Sequence, residues 1–160
     1  MPRVTLVEQQ KYEFSHHLVV RATDINYAGH LGNEALLGLV HEARAFFFKK
    51  MNFNTVIHGE QSVGLIIADL VVNFKAEAFA HDRLNVDCHI DEMHGKSFRL
   101  FHRIRRKEQL IALVETGMIS YDYSLKQAVP LPTEFLKGLQ DYRNTIAKKE
   151  MNRSDLDESS

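Results

Sequence analysis

The segment from Thr23 to Asn33 holds the side chains whose types and spacing best suit chemistry. It combines the carboxylate of Asp24 and the imidazole of His30 with two amides, and its glycines let backbone approach a ligand. The segment ends where an apolar helical pattern begins, and the free N–H groups of a helix N-terminus favour a developing negative charge. A carboxylate that activates water or attacks directly, beside N–H donors for a carbonyl oxygen, suits hydrolysis of a thioester.

The same loop also fits a purely structural interpretation. Asp24 and Asn33 can cap turns, and the glycines can shape the chain without contacting a ligand. The spacing of the residues leaves both interpretations open.

Three further carboxylates are candidates for a share in the catalytic role. Glu34 follows the predicted helix start, where its charge also suits the positive end of the helix dipole. Glu42 is one of the few charges on an apolar helix, and pairing with Arg44 or with a strand residue would explain it. Asp69 lies within an apolar strand, where burial without a partner is costly. It therefore either faces a substrate pocket or forms a hydrogen bond within an oligomer interface.

Apolar periodicity predicts the elements that position this loop. A first strand over 12–23 precedes the loop, and a long, mostly buried helix follows, with Asn33 as its N-cap. A loop around Asn52–Gln61 leads to four strand-like segments and a terminal helix: Val63–Lys75, Leu84–Asp91, Ser97–Arg106, Leu110–Tyr123 and Thr133–Lys148. Short connections between the last three strands, such as the turn at His94 and Gly95, predict an antiparallel meander. One buried helix and one long sheet fit together if the sheet curls around the helix.

Length and composition limit the class of protein. The 160 residues suffice for one domain, predicted over 1–148, with a loosely ordered start at 1–10 and a disordered tail at 149–160. The net charge of −1 gives no field that attracts nucleic acid or an anionic membrane. The first ten residues lack the pattern of a signal peptide, and no apolar run reaches the length of a spanning helix. With a single cysteine, Cys88, interpreted as a core residue, a cytoplasmic protein is expected.

The histidines do not predict a metal site. None of them, His58 in the long loop included, has the helical i, i+4 partner and adjacent Glu that zinc hydrolases show. The expected site therefore has no metal ligands.

The loop and the helix resemble the 4-hydroxybenzoyl-CoA thioesterase family of hotdog proteins. The matching residues are Asp24, Gly29, Asn33 and the triplet Glu42-Ala43-Arg44. The resemblance continues through 64–76 and through Gly95-Lys96-Ser97-Phe98, and it spans roughly residues 12 to 125. Because each motif is short, the specificity comes from their order.

This resemblance implies an α+β hotdog fold, in which a long curled antiparallel sheet wraps around one central helix. It implies hydrolysis of an acyl-CoA, or of an acyl carrier protein thioester, without a cofactor. The family's catalytic carboxylate corresponds to Asp24, and backbone N–H groups near Gly29, His30 and Leu31 would polarise the carbonyl. Two departures are Val20, where some members have tyrosine, and a longer loop between Asp24 and Gly29 than in the shorter versions.

The same resemblance implies pairing into dimers or tetramers, and open sheet edges favour self-association on physical grounds as well. A basic set suits the phosphates of coenzyme A, although such residues also occur on solvated strands. The set is Lys75, Lys96, Arg99, Arg103, Arg105, Arg106 and Lys107. Together with Asp69 and Ser97, three of its members, Lys75, Lys96 and Arg99, are the expected substrate-binding residues.

Two other functions are compatible with the same fold. Asp24, Asn26 and His30 are similar to the Asp-x-Asn motif followed by His in hotdog enoyl-CoA hydratases, which add water to a double bond. Here His30 comes six residues after Asp24 instead of five, and Tyr27 replaces the proline of that motif. A hotdog domain can also bind acyl groups without catalysis, although such proteins lose the carboxylate that Asp24 retains.

Overall fold

A computed structural model describes residues 1–54 and 62–159. In this part of the chain six strands form one antiparallel sheet: β1 (Phe14–Val19), β2 (Val63–Phe74), β3 (Arg83–His94), β4 (Ser97–Arg106), β5 (Gln109–Asp122) and β6 (Gln127–Ala128). The described helices are α1 (Asn33–Lys50) and α2 (Thr133–Glu158). A short 3-10 turn at Ala22–Asp24 leads from β1 into the loop before α1.

The sheet has the order β1-β3-β4-β5-β2, with β6 beside β5. The predicted meander is confirmed, because β3, β4 and β5 pair antiparallel as consecutive neighbours. The turn between β3 and β4 passes through Gly95, whose φ of 59° suits a residue without a side chain. Strands β1 and β2 form the two edges of the sheet.

Helix α1 packs its apolar face on the inner side of the sheet. Phe47 of α1 stacks on Phe14 of β1 with ring centroids 5.0 Å apart, and both are buried. The alternate residues of β3 that face the helix are fully buried: Leu84, Val86, Cys88 and Ile90. A long antiparallel sheet around one central helix is the predicted architecture.

Several boundaries differ from the predicted ones. Strand β1 ends at Val19, short of residue 23, because the chain turns into Ala22–Asp24. The N-cap of α1 is Gly32, without a side-chain hydrogen bond, so Asn33 is the first helical residue and not the cap. Of the loop around Asn52–Gln61, residues 55–61 lie outside the described part of the chain, His58 among them.

The termini are more structured than predicted. Residues 1–10 contain no helix or strand, yet the buried Asn73 accepts a hydrogen bond from the Leu6 amide (2.7 Å) and donates one to the Val4 carbonyl (3.0 Å). Helix α2 continues to Glu158, ten residues beyond Lys148 and through the tail that was expected to be disordered. Residues 147–159 are all exposed. Because this part of the helix buries no face, its sequence needs no apolar stripe, and a search for apolar periodicity does not detect it.

Candidate active site

A cavity of about 420 Å³ lies where the loop before α1 meets the chain that follows β2. The loop and the first turns of α1 supply Asn26, His30, Leu31, Asn33 and Leu36, and the other wall consists of residues 74–78 and Ile111. The cavity therefore opens at the N-terminus of α1, beside the loop whose residue types suit chemistry.

The loop is a tight turn that its own hydrogen bonds hold in shape. The side-chain oxygen of Asn26 accepts a hydrogen bond from the backbone N–H of Ala28 at 2.9 Å. The backbone N–H of Asn26 donates to the backbone carbonyl of His30, also at 2.9 Å. Gly29 has a φ of 85°, a conformation that favours glycine, and its amide donates to the Asn26 carbonyl at 3.0 Å. This turn brings the side chains of Asn26 and His30 to the cavity.

Asp24 is buried, with 5% exposure, and does not line the cavity. Its carboxylate accepts hydrogen bonds from the Arg21 amide at 2.8 Å and from the Arg21 guanidinium at 2.9 and 3.2 Å. The hydrogen bonds from the Arg21 side chain outweigh burial and lower the pKa of Asp24. The Asp24 carbonyl also accepts the Gly32 amide at 3.0 Å. The residue therefore holds the loop together and is not part of the cavity lining.

The cavity itself contains an imidazole and a carboxylate near each other. His30 Nε2 lies 3.7 Å from Glu77 Oε1, and the two side chains are 31% and 64% exposed. A histidine next to a carboxylate can take a proton from water while the carboxylate orients the ring. Lys75, on the same wall, adds a positive charge.

Two of the three expected oxyanion donors are already used within the chain. The Gly29 amide donates to Asn26, as described, and the Leu31 amide donates to the Ala78 carbonyl at 2.7 Å. Within residues 1–54 and 62–159 the His30 amide has no acceptor. The first-turn amides of α1 also lack a side-chain cap. The donors available to a carbonyl oxygen are therefore the His30 amide and the start of α1, where the exposed Asn33 begins the helix.

The expected substrate-binding residues are divided between two places. Lys75 lines the cavity, whereas Arg99 binds Asp69 through two hydrogen bonds of 2.6 and 2.7 Å and Glu115 through one of 2.7 Å. Lys96 and Ser97 lie at the turn between β3 and β4, outside the cavity lining.

The other arginines of the basic set also have acidic partners. Arg103 and Arg105 both bind the buried Asp87, at 2.8 and 2.7 Å, and Arg106 binds Asp82. These guanidinium groups form an ion-pair lattice along β3 and β4, so their charge is largely neutralised before a phosphate could bind.

The remaining carboxylates lie apart from the cavity lining. Glu34 and Glu42 are exposed on α1, and the expected pairing of Glu42 with Arg44 does not form. Arg44 is buried and donates instead to Nδ1 of His41 at 2.9 Å, because the two residues lie one turn apart on the same helix.

The sequence pattern missed Glu77 and underestimated Asn26. Asn26 belongs to the loop that the pattern singled out, but it was not named as a site residue. In the structure it lines the cavity, where its side chain also closes an Asx-type turn. Glu77 carries no local signal, because the path of the chain after β2 alone brings it to His30.

Within the described residues, 1–54 and 62–159, no group of three His, Cys, Asp or Glu side chains is arranged to hold a metal ion. No described helix is long and apolar enough to cross a membrane.

Comparison with known proteins places this geometry in a family. The pattern of the thioesterase-like superfamily matches residues 20–139. A 1,4-dihydroxy-2-naphthoyl-CoA hydrolase of Microcystis aeruginosa is 26% identical over 129 residues, which cover 80% of this chain and 93% of that protein.

Solved structures agree with the fold. A 1,4-dihydroxy-2-naphthoyl-CoA thioesterase from Synechocystis superposes with a TM-score of 0.75 at 23% identity, covering 80% of this chain and 96% of that one. A gentisyl-coenzyme A thioesterase gives a TM-score of 0.70 at 22% identity, covering 78% and 98%. The chain therefore belongs to the thioesterase-like superfamily, which confirms the predicted family, and the superpositions confirm the predicted hotdog fold.

Proposed function

We propose that this protein hydrolyses acyl-CoA thioesters in the cavity at the N-terminus of α1. The observation that carries the proposal is the convergence of His30, Glu77 and free helix-start amides on one cavity in a member of this superfamily. An acyl carrier protein presents the same pantetheine thioester and is the alternative carrier.

The proposed reaction uses His30 as the general base. The imidazole takes a proton from water, and the water oxygen attacks the thioester carbon while the His30 amide and the first turn of α1 stabilise the oxyanion. The carbon–sulfur bond then breaks, and the thiolate of coenzyme A accepts a proton from the imidazolium. Glu77 orients the ring from the side of Nε2, so the proton is taken at Nδ1, which lies 3.4 Å from the Leu31 carbonyl in the resting site.

Asp24 remains the competing candidate for the base or nucleophile, as the family resemblance implies. Against that role, the hydrogen bonds that its carboxylate accepts within residues 1–54 and 62–159 all come from Arg21, and the lowered pKa makes it a weaker base. We propose that Asp24 is a positioning residue, which keeps Asn26 and His30 at the cavity.

Aryl-CoA thioesters are the substrates to test first. Two of the similar proteins carry the names of 1,4-dihydroxy-2-naphthoyl-CoA and gentisyl-CoA enzymes. The cavity has apolar walls in Leu36, Phe74 and Ile111, which suit an aromatic ring, and Lys75 suits an anionic group of substrate.

We also propose that the protein self-associates through β2. This strand has twelve residues and forms a sheet edge, with Ile67, Leu70 and Phe74 exposed by 50%, 40% and 58%. A long edge with apolar side chains favours pairing with a second copy. Sedimentation velocity of the wild type and of Leu70→Lys tests it, and a wild-type monomer at micromolar concentration would contradict it.

Thiol release from aryl-, short- and long-chain acyl-CoAs tests the activity. We expect a loss of at least a hundredfold in kcat for His30→Gln, about tenfold for Glu77→Gln, and wild-type rates for the surface controls His94→Gln and Glu108→Gln. If Asp24→Asn abolishes turnover and His30→Gln does not, the catalytic role belongs to Asp24.

The same experiment separates the other functions. Absence of thiol release together with hydration of an enoyl-CoA would identify a hydratase. Binding of acyl-CoA without any turnover would identify a non-catalytic protein, and either result would overturn the proposed hydrolysis.

A further inference from the structure

A second cavity, of about 400 Å³, lies beside the C-terminal half of α1 and shares no lining residue with the candidate active site. Its polar groups are Arg44 and His41, and its other walls are apolar, with Phe48, Leu65, Ile66 and Met118 among them. Ile67, on the edge strand β2, also lines the cavity and is 50% exposed in the single chain, so the cavity lies beside the proposed interface with a second copy.

Arg44 carries a positive charge that lacks a counter-ion in the described chain. The residue is only 8% exposed, and its one recorded hydrogen bond goes to Nδ1 of His41, which must be unprotonated to accept it. No carboxylate within residues 1–54 and 62–159 forms an ion pair with Arg44, and Glu42 lies on the exposed face of the helix. A buried guanidinium without an anionic partner is unfavourable, because burial removes water that would solvate the charge.

The other buried groups near Arg44 cannot supply that negative charge. Burial raises the pKa of the Cys88 thiol well above its usual range, so this neighbour is a neutral thiol. Burial, together with the charge of Arg44, lowers the pKa of His102 to about 3, so the imidazole is neutral as well. The two titratable groups that interact with Arg44 in the described residues, Cys88 and His102, are therefore both uncharged.

We propose that this cavity binds the carboxylate of a small molecule with an apolar body. The guanidinium offers a planar set of N–H donors that matches the two oxygens of a carboxylate, and only one of them is used by His41. The walls from Phe48, Leu65 and Met118 suit an aliphatic or aromatic body, and the volume is within the range of small-molecule sites. The bound anion supplies the negative charge that residues 1–54 and 62–159 do not place beside Arg44.

Two sources can provide this chemistry. One is a free carboxylic acid, the class of product that thioester hydrolysis releases. The other is an acyl-CoA whose acyl group ends in a second carboxylate, and this source alone rests on the proposed function. Both place a carboxylate on Arg44.

Isothermal titration with octanoate tests the site directly, without reference to catalysis. We expect one octanoate per chain, and binding at least tenfold weaker for octanamide, which has the same shape without the charge. Arg44→Met, which keeps a similar volume, should reduce octanoate binding at least tenfold. Arg153→Met, which removes an exposed arginine from the end of α2, should leave it unchanged.

A second variant covers the case in which Arg44→Met does not fold. Ala45 is exposed on α1 and lines the same cavity, so Ala45→Phe fills the cavity without altering the core. It should also reduce octanoate binding at least tenfold. Kinetics separate the two sources. If Arg44→Met raises KM for suberyl-CoA but not for octanoyl-CoA, the site binds the carboxylate at the end of the acyl group. If octanoate inhibits the enzyme, the site binds the free acid.

Equal binding of octanoate and octanamide, or octanoate binding that survives both variants, would overturn the proposal. Loss of the oligomer in Arg44→Met with no binding of octanoate to the wild type would also overturn it, because the counter-ion would then come from a second copy of the chain.

Discussion

Asp24 receives three hydrogen bonds from a single residue, Arg21: one from its amide and two from its guanidinium. The arrangement closes the 3-10 turn on itself, and the Gly32 amide then docks on the Asp24 carbonyl at 3.0 Å. The start of α1 is thereby fixed to the end of the turn. The carboxylate is ionised and fully hydrogen-bonded, which suits an organising role in the loop better than proton transfer.

The first prediction is that substitutions of Asp24 and Arg21 lower the stability of the protein more than they lower its activity. Asp24→Ala leaves the Arg21 donors without an acceptor and should lower the free energy of unfolding by roughly 1 to 2 kcal/mol. Because the Arg21 side chain is 73% exposed and water can replace its partner, Arg21→Ala should cost less than Asp24→Ala. Both variants should reduce kcat by less than tenfold, as measured by urea denaturation and thiol release. A loss of kcat in Asp24→Ala as large as in His30→Gln, with stability unchanged, would show that Asp24 acts chemically.

Local patterns predicted the elements and the pairing of β3, β4 and β5, whereas contacts between segments distant in the sequence escaped them. Strand β4 begins at Ser97 and ends at Arg106 as predicted, because side chains alternate across a strand regardless of the partner strands. The loop before α1, which the pattern singled out for chemistry, lines a cavity, and its catalytic role stays a prediction. The sequence could not place Glu77 in the cavity, because that depends on where the chain runs after β2. It also could not show that Arg44 is buried beside His41 and does not pair with Glu42, because that depends on which strands cover the helix. The end of α2 was missed for a different reason: an exposed helix follows propensity and not apolar spacing.

The second prediction concerns Gly117 of β5, beneath the ion pair of Arg99 and Asp69. Asp69 of β2 and Arg99 of β4 flank Gly117, and their side chains meet over it. A Cβ at this position would collide with the ends of both side chains, so the ion pair requires glycine here. Gly117→Ala should therefore displace the pair and lower the free energy of unfolding by about 1 kcal/mol, a small value because Asp69 is 52% exposed. In the background Asp69→Ala with Arg99→Ala, the same change should be neutral or stabilising, since alanine suits a strand better than glycine. Equal destabilisation in both backgrounds would contradict this account.

The third prediction concerns the buried Glu13, which joins β1, β3 and α2. Its carboxylate binds Nδ1 of His89 at 2.5 Å and the Arg143 guanidinium at 2.7 Å, with 5% exposure. Burial alone would raise the pKa of Glu13, but the bonds from His89 and Arg143 outweigh it and lower the pKa below its ordinary value of 4.5. Glu13→Gln should therefore cost roughly 3 kcal/mol at pH 7.

The pH dependence of that cost has a definite sign. A lowered pKa stabilises the folded state above the unfolded value near 4.5, and the contribution is lost as the pH falls through the folded pKa. The difference between wild type and Glu13→Gln, from urea denaturation between pH 3 and 7, should therefore shrink below about pH 4.5. The exposed Glu150→Gln serves as the control, and a constant difference across this range would refute the role of the charge.

The fourth prediction concerns His102 of β4, a fully buried side chain whose two ring nitrogens have no partner within the described residues. Burial, followed by the charge of Arg44, lowers the pKa of this imidazole from 6.5 to about 3. An unpaired buried polar group typically costs roughly 1 to 3 kcal/mol. His102→Leu, which fills a similar volume with apolar atoms, should therefore leave the free energy of unfolding at pH 7 unchanged or raise it by about 1 kcal/mol.

The gain should grow in acid. As the pH falls below 6.5, the unfolded chain binds a proton on this histidine that the folded chain does not accept until about pH 3. The wild type should thus lose roughly 2 kcal/mol at pH 5 that His102→Leu retains, at about 1.4 kcal/mol per pH unit. Denaturation curves at pH 5 and 7 measure the difference, with the exposed His94→Gln as control. If His102→Leu is instead destabilised by 2 kcal/mol or more at pH 7, the two nitrogens are satisfied in solution, and the interior next to Arg44 is more polar than the structure indicates.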